Sequence, residues 1–131
     1  MCEKLSVFIS HSERDAEYAE ALREALKAWK VEAAFDTDRM RTSRNWTRSM
    51  RHALDESSAV VVLTGDLEES LWMAAEYGAA VVMKKDLIPV LDPNLSPDRV
   101  ARPLRRRASI EKGDPKLVAR EIARRVHALA A

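Results

Sequence analysis

Along the chain, short apolar runs alternate with stretches in which apolar residues recur every three or four positions. LSVFIS at 5–10 is a β-branched apolar run and reads as a strand. From Arg14 onward, Tyr18, Leu22, Leu26 and Trp29 recur at helical spacing down to Lys30. Ser12 and Asp15 stand three apart ahead of that stripe, a capping-box spacing that predicts a helix start directly after a short loop. VEAAFD at 31–36 alternates as a strand; a polar stretch follows, and Trp46, Met50 and Leu54 mark a second helix. AVVVLT at 59–64 is the most apolar segment and predicts a strand covered on both faces, as central parallel strands are. A third helix is expected at about 67–83, a fourth strand at 87–91 (LIPVL) and a weak fifth at 107–110. Asp114 and Pro115 then form an N-cap and first-turn pair for a last helix carrying Val118, Ile122, Val126 and Leu129. Five strands alternating with helices predict an α/β fold, a doubly wound parallel sheet with helices on both faces and ligands bound beyond the carboxyl ends of the strands.

Length and composition fit that picture. At 131 residues the chain predicts a single domain over 1–131, and 47% hydrophobic residues with three Gly and five Pro exclude a disordered or low-complexity chain. The formal charge is +1, so no whole-chain electrostatic argument favours nucleic acid or an anionic membrane. One cysteine, Cys2, and three scattered histidines supply neither an internal disulfide nor a zinc set, so no metal is expected and a cytoplasmic location is. MCEKLSVFIS is too short an apolar run for a signal peptide, and no stretch approaches the roughly 18 apolar residues of a membrane span.

Chemistry is therefore sought at the carboxyl ends of the strands: Ser10, His11 and Ser12 after the first, Asp36 after the second, Asp66 after the third. No GxGxxG or GxxxxGK loop cradles a phosphate, no GxSxG elbow presents a nucleophile, and no acidic cluster follows the first strand to hold magnesium as in a receiver domain. The informative segment is ESLWMAAEYGAA at 69–80, in which Trp72 and Glu76 are four apart and share a helix face. On spacing alone, Trp72 reads as core and Glu76 as a solvated helix residue.

Taken together, several separated motifs resemble those of the Toll/interleukin receptor (TIR) domain, in the expected order. VFISHSERD at 7–15 is similar to the family's first box, FDTDRMRTSRNW at 35–46 to its second strand end and BB loop, ESLWMAAE to its Ser-x-Trp-x-x-x-Glu helix, and LIPVL to its Ile-Pro-Val strand. The resemblance covers roughly residues 4–130, is closest in style to the prokaryotic, NAD+-cleaving branch, and implies a flavodoxin-like five-stranded sheet. It further implies cleavage of the nicotinamide-ribose bond of NAD+ to nicotinamide and ADP-ribose or a cyclic ADP-ribose, in immune or cell-death signalling, with NAD+ as substrate and no cofactor. By position, Glu76 would be catalytic, Trp72 would wall the pocket, Ser10, His11 and Ser12 would line it, Asp36 would sit at its edge and Trp46 would also contact substrate. Beside those roles stand simpler ones: His11 bonding within its loop, Ser12 capping a helix, Trp46 packing on the Met50 and Leu54 stripe.

Two arginine groups remain: Arg39, Arg41, Arg44, Arg48 and Arg51, and Arg99, Arg102, Arg105, Arg106 and Arg107. Without interleaved aromatics they do not read as a nucleic-acid footprint; NAD+ phosphates or a neighbouring subunit suit them better. The resemblance implies TIR–TIR self-association through the loop at 37–45, whose arginines would meet Glu13, Glu17, Glu20 and Glu24 of another copy. That loop lacks the Pro and Gly common in the family. The competing reading is a non-enzymatic TIR adaptor, from which a glutamate at position 76 argues away.

Overall fold

The computed structural model describes residues 5–35, 45–64, 71–100, 102–105 and 107–130, with every side chain among them except those of Leu71, Trp72, Pro97 and Pro103. Five strands, β1 (Leu5–Ser10), β2 (Val31–Ala34), β3 (Ala59–Thr64), β4 (Asp86–Leu91) and β5 (Ile110–Glu111), form one all-parallel sheet in the order β2-β1-β3-β4-β5. This is the expected flavodoxin-like, doubly wound arrangement. Helices α1 (Ala16–Lys27) and α5 (Pro115–Ala130) cover one face. Helices α2 (Trp46–Glu56), α3 (Leu71–Val82) and the short α4 (Arg102–Arg105) cover the other. The strand order reverses direction between β1 and β3, so the crevice at their carboxyl ends is the topological switch point.

Two cores result, one on each face of the sheet. Alternate residues of the strands divide between them: Val7 and Ile9 with Val61 and Leu63 face α1 and α5, while Phe8 with Val60 and Val62 faces α2 and α3. Every residue of β3 is buried, as its continuous apolar run predicts. Among the described residues no helix is long and apolar enough to cross a membrane.

Some boundaries differ from the sequence reading, each for a local reason. The capping box does not form: Ser12 makes no side-chain cap bond, Glu13–Asp15 is a 3-10 turn, and the Asp15 carboxylate is drawn instead to Lys112, 2.7 Å away. The fifth strand begins at Ile110 instead of 107, because the Arg125 guanidinium takes the carbonyls of Ala108 (2.6 Å) and Ser109 (3.4 Å) that a longer ladder would use. Trp29, placed on the α1 stripe by its spacing, falls beyond the helix end and is 43% exposed, and Leu129 is likewise exposed. The start of the last helix holds, with the Lys116 amide donating to Asp114 Oδ1 at 3.0 Å. The expected part of the third helix before residue 71, along with Asp36, Asp66 and loop positions 37–44, lies outside the described residues.

Candidate active site

Helix α3 explains where the site sits. Its inward stripe is Met73, Glu76 and Ala80, all buried, so a carboxylate occupies the middle position of an otherwise apolar row. Glu76 is 0% exposed, not the solvated helix residue its spacing alone suggested. Withdrawing a carboxylate from water is costed at several kcal/mol unless hydrogen bonds compensate, so a buried glutamate on this stripe is not explained by packing. Part of the compensation comes from the end of β1, where Ser10, also 0% exposed, donates its hydroxyl to Glu76 Oε1 at 2.9 Å. Ser10 has the same strand parity as Phe8, so it points to the α3 face, and β1 and α3 are thereby joined at the carboxyl edge.

The two neighbours of Ser10 take another direction. His11 is 7% exposed and its Nδ1 lies 2.9 Å from the Ser12 carbonyl. A carbonyl only accepts, so Nδ1 carries the proton in this contact. The imidazole stands edge-on to Phe35, with ring centroids 5.1 Å apart, and Arg23 lies over the same ring. Phe35 packs on the α1 and α5 core, so the ring contact of His11 belongs to the opposite side of the sheet from Ser10 and Glu76. Ser12 is half-buried and forms no cap.

Trp46 opens α2 and packs, half-buried, against the same core as Glu76, which agrees with the packing role its stripe offered. Trp72 lies one helical turn ahead of Glu76 on α3; its side chain and all of Asp36 lie outside the described residues. Arg48 and Arg51 are exposed on the first two turns of α2, where with Asn45 and Thr47 they line a cleft of about 450 Å³. Arg105 is spent internally, donating to the carbonyls of Val100 and Asp98 at 2.7 and 3.0 Å. A larger, mostly apolar cleft of about 730 Å³ lies along Ala21, Ala25, Ala28 and Trp29 beside Pro115, away from this chemistry.

One buried polar residue at this edge is not singled out by the sequence pattern. Thr64 ends β3 at 2% exposure, and its Oγ1 is buried with no hydrogen-bond partner among the described residues. The signal was a polar residue closing a five-residue apolar run, in phase with Val60 and Val62.

The fold and this edge define a flavodoxin-like α/β protein with a hydrogen-bonded, buried carboxylate at the switch point. The profile of the TIR domain matches residues 7–122, and the chain belongs to the TIR domain family. Solved structures that share the fold include the following two. A CMP N-glycosidase, BcmB, from Clostridium botulinum is 19% identical, with a TM-score of 0.63, over 89% of this chain and 97% of its own. A 2-desoxiribosyltransferase from Leishmania mexicana is 19% identical, with a TM-score of 0.55, over 66% of this chain and 64% of its own, so this chain spans about two thirds of that protein's length. Among curated proteins none matches the sequence significantly.

Proposed function

We propose that this TIR domain is an N-glycosidase that cleaves the nicotinamide-ribose bond of NAD+, with Glu76 as the catalytic residue. The observation that carries this reading is the Glu76 carboxylate, fully buried and held by Ser10 at the switch point. It is supported by the family's Ser-x-Trp-x-x-x-Glu motif and by the likeness to structures named for cleaving or transferring N-glycosidic groups. A non-enzymatic adaptor has no use for a desolvated carboxylate at that place.

The chemistry suits a single acid. As the bond from C1′ to the pyridinium nitrogen breaks, its electron pair returns to the ring and nicotinamide leaves neutral, so the proton donor that ordinary glycosidases supply to the leaving group is dispensable. Positive charge develops at C1′ and the ring oxygen, and a preorganised carboxylate in a water-poor site stabilises it strongly. Water, or a nucleophilic atom of the adenine, then attacks C1′ and loses a proton, giving ADP-ribose or a cyclised product. Ser10 keeps the carboxylate oriented; Trp72, Ser12 and Asp36 are the further pocket residues on this reading, His11 and Trp46 bound the pocket through the packing contacts they already make, and Arg48 with Arg51 would meet the pyrophosphate. Self-association through the loop at 37–45 belongs to the same proposal, so the assay is made at high protein concentration.

Incubating concentrated protein with NAD+, and with CMP in parallel, and identifying products by chromatography and mass tests the proposal. Glu76→Gln should lower turnover by at least about 10³-fold while keeping the melting temperature at or above that of the native chain. Native turnover by Glu76→Gln would overturn the assignment, and release of cytosine in place of nicotinamide would redirect the substrate.

A further inference from the structure

Thr64 is the residue at this edge that the fold leaves unexplained. Its hydroxyl is buried and without a partner among the described residues, and it closes a strand in which valine or leucine fills the preceding four positions. Buried polar groups are nearly always paired, because an unpaired one costs stability that an isosteric valine would restore. The hydroxyl is therefore better understood through what it meets in another state. Its place narrows the choice. In the β1–β3 register Ser10 pairs with Val62, so Thr64 lies two residues further on and has the same parity as Val60 and Val62, whose side chains face α2 and α3. With a rise of about 3.3 Å per residue and strands about 4.8 Å apart, the Cα atoms of Ser10 and Thr64 are roughly 8 Å apart across the switch point. The carboxylate and the orphaned hydroxyl thus belong to the same crevice and the same face.

We infer that Thr64 is a substrate-contacting residue that hydrogen-bonds a hydroxyl of the ribose whose C1′ is attacked, an inference that rests on the proposed function and extends it. Charge decides for the sugar. A phosphate brought beside the buried Glu76 carboxylate would be repelled, whereas a neutral polyol is not, and a hydroxyl is the group that can both donate to and accept from threonine. The exposed Arg48 and Arg51 offer the anion a better place.

The test is Thr64→Val, which removes the hydroxyl and keeps the shape, with Thr64→Ser as the variant that keeps the donor. The probes are NAD+ and its analogues lacking the 2′- or the 3′-hydroxyl on the nicotinamide ribose. Thr64→Val should melt at or above the native temperature, raise KM for NAD+ about 3- to 10-fold with a smaller change in kcat, and lose that penalty on one of the two deoxy analogues. Thr64→Ser should restore most of the affinity. A lowered melting temperature with unchanged KM, or an equal penalty on all three probes, would overturn the inference and leave the proposed function standing. If the native protein neither cleaves nor is stabilised by NAD+, the proposed function fails first and takes this inference with it.

Discussion

The two faces of the sheet treat polar groups in opposite ways. On the α1 and α5 face, polar side chains are paired with one another or with backbone carbonyls at the rim. Lys112 Nζ is 2.7 Å from Asp15 Oδ1 and 4.9 Å above the Tyr18 ring, the Tyr18 hydroxyl donates to the Gly113 carbonyl at 2.8 Å, and Arg125 closes the turn before β5. Burial pushes the Tyr18 phenol above its ordinary value, and its bond to Gly113 offsets part of that. The Lys112 and Tyr18 contacts clasp the start of α1 to the start of α5 across the carboxyl edge, while Arg125 acts at the opposite, amino end of β5. On the α2 and α3 face the polar groups lie inside: Glu76 within an apolar stripe, Ser10 bonded to it, Thr64 with no partner among the described residues. One face uses polarity to hold the fold together; the other keeps polarity that the fold alone would exchange for valine and leucine. Such a conflict between local stability and residue choice is what a functional site produces.

If that contrast is right, substitutions on the clasp should change stability and spare chemistry. The largest expected effect is at Asp15. Its side chain is 7% exposed and that of Lys112 27%, so Asp15→Ala strands a partly desolvated ammonium. Breaking a buried pair costs roughly 3–5 kcal/mol, and the exposure of Lys112 reduces this to about 2 kcal/mol. For a domain of this size that is about 7 °C in melting temperature. Thermal denaturation checks it, and the surviving folded fraction should keep native KM. A fall in kcat without a fall in melting temperature would break the division between the faces.

Ser10 offers the reverse case. Ser10→Ala removes the donor at 2.9 Å from Glu76 and should lower kcat about tenfold with little change in KM, while the melting temperature moves by no more than about 4 °C. Ser10→Thr keeps the donor and should keep most of the turnover. Steady-state kinetics on the three proteins decides this, and a loss confined to KM would return Ser10 to direct substrate contact.

The same contrast explains what the sequence revealed. Strands and helices followed from apolar spacing wherever one face is buried against another, so β1, β3 and α2 were placed by their own residues. What local spacing could not carry was any feature made by a distant partner. Asp15 looked like half of a capping box because Lys112, its real partner, is 97 residues away. The ladder of β5 starts late because Arg125 binds carbonyls from α5. At the site, Glu76 was legible only through its motif, since a period of 3.6 says that it shares a face with Trp72 but not that this face is inward. Thr64 was hidden because a hydroxyl at a strand end is ordinary until its environment is known to hold no partner for it.

The smallest effect belongs to Glu121, and it sharpens the comparison through pH. On α5 the Arg124 guanidinium holds the Glu121 carboxylate at 2.6 and 3.0 Å, and Arg125 adds a contact at 3.1 Å. The hydrogen bond from Arg124, assisted by Arg125, draws the Glu121 carboxyl down to about 2. A carboxylate of folded value below its unfolded value of about 4.3 binds fewer protons when folded, so its contribution is complete above about pH 4.3 and is lost as pH falls toward 2. With the side chain 34% exposed, solvent screens much of the interaction, and the melting temperatures of native protein and Glu121→Gln should differ at pH 7 by only about 1–2 °C. That gap should close as pH falls from about 4.3 to 2, because protonation removes from the native protein the same charge that the substitution removes. Melting curves of both proteins at matched pH values test it. A gap that widens on acidification would show that the Glu121 cluster destabilises the fold, and the division between a stabilising face and a working one would no longer hold on α5.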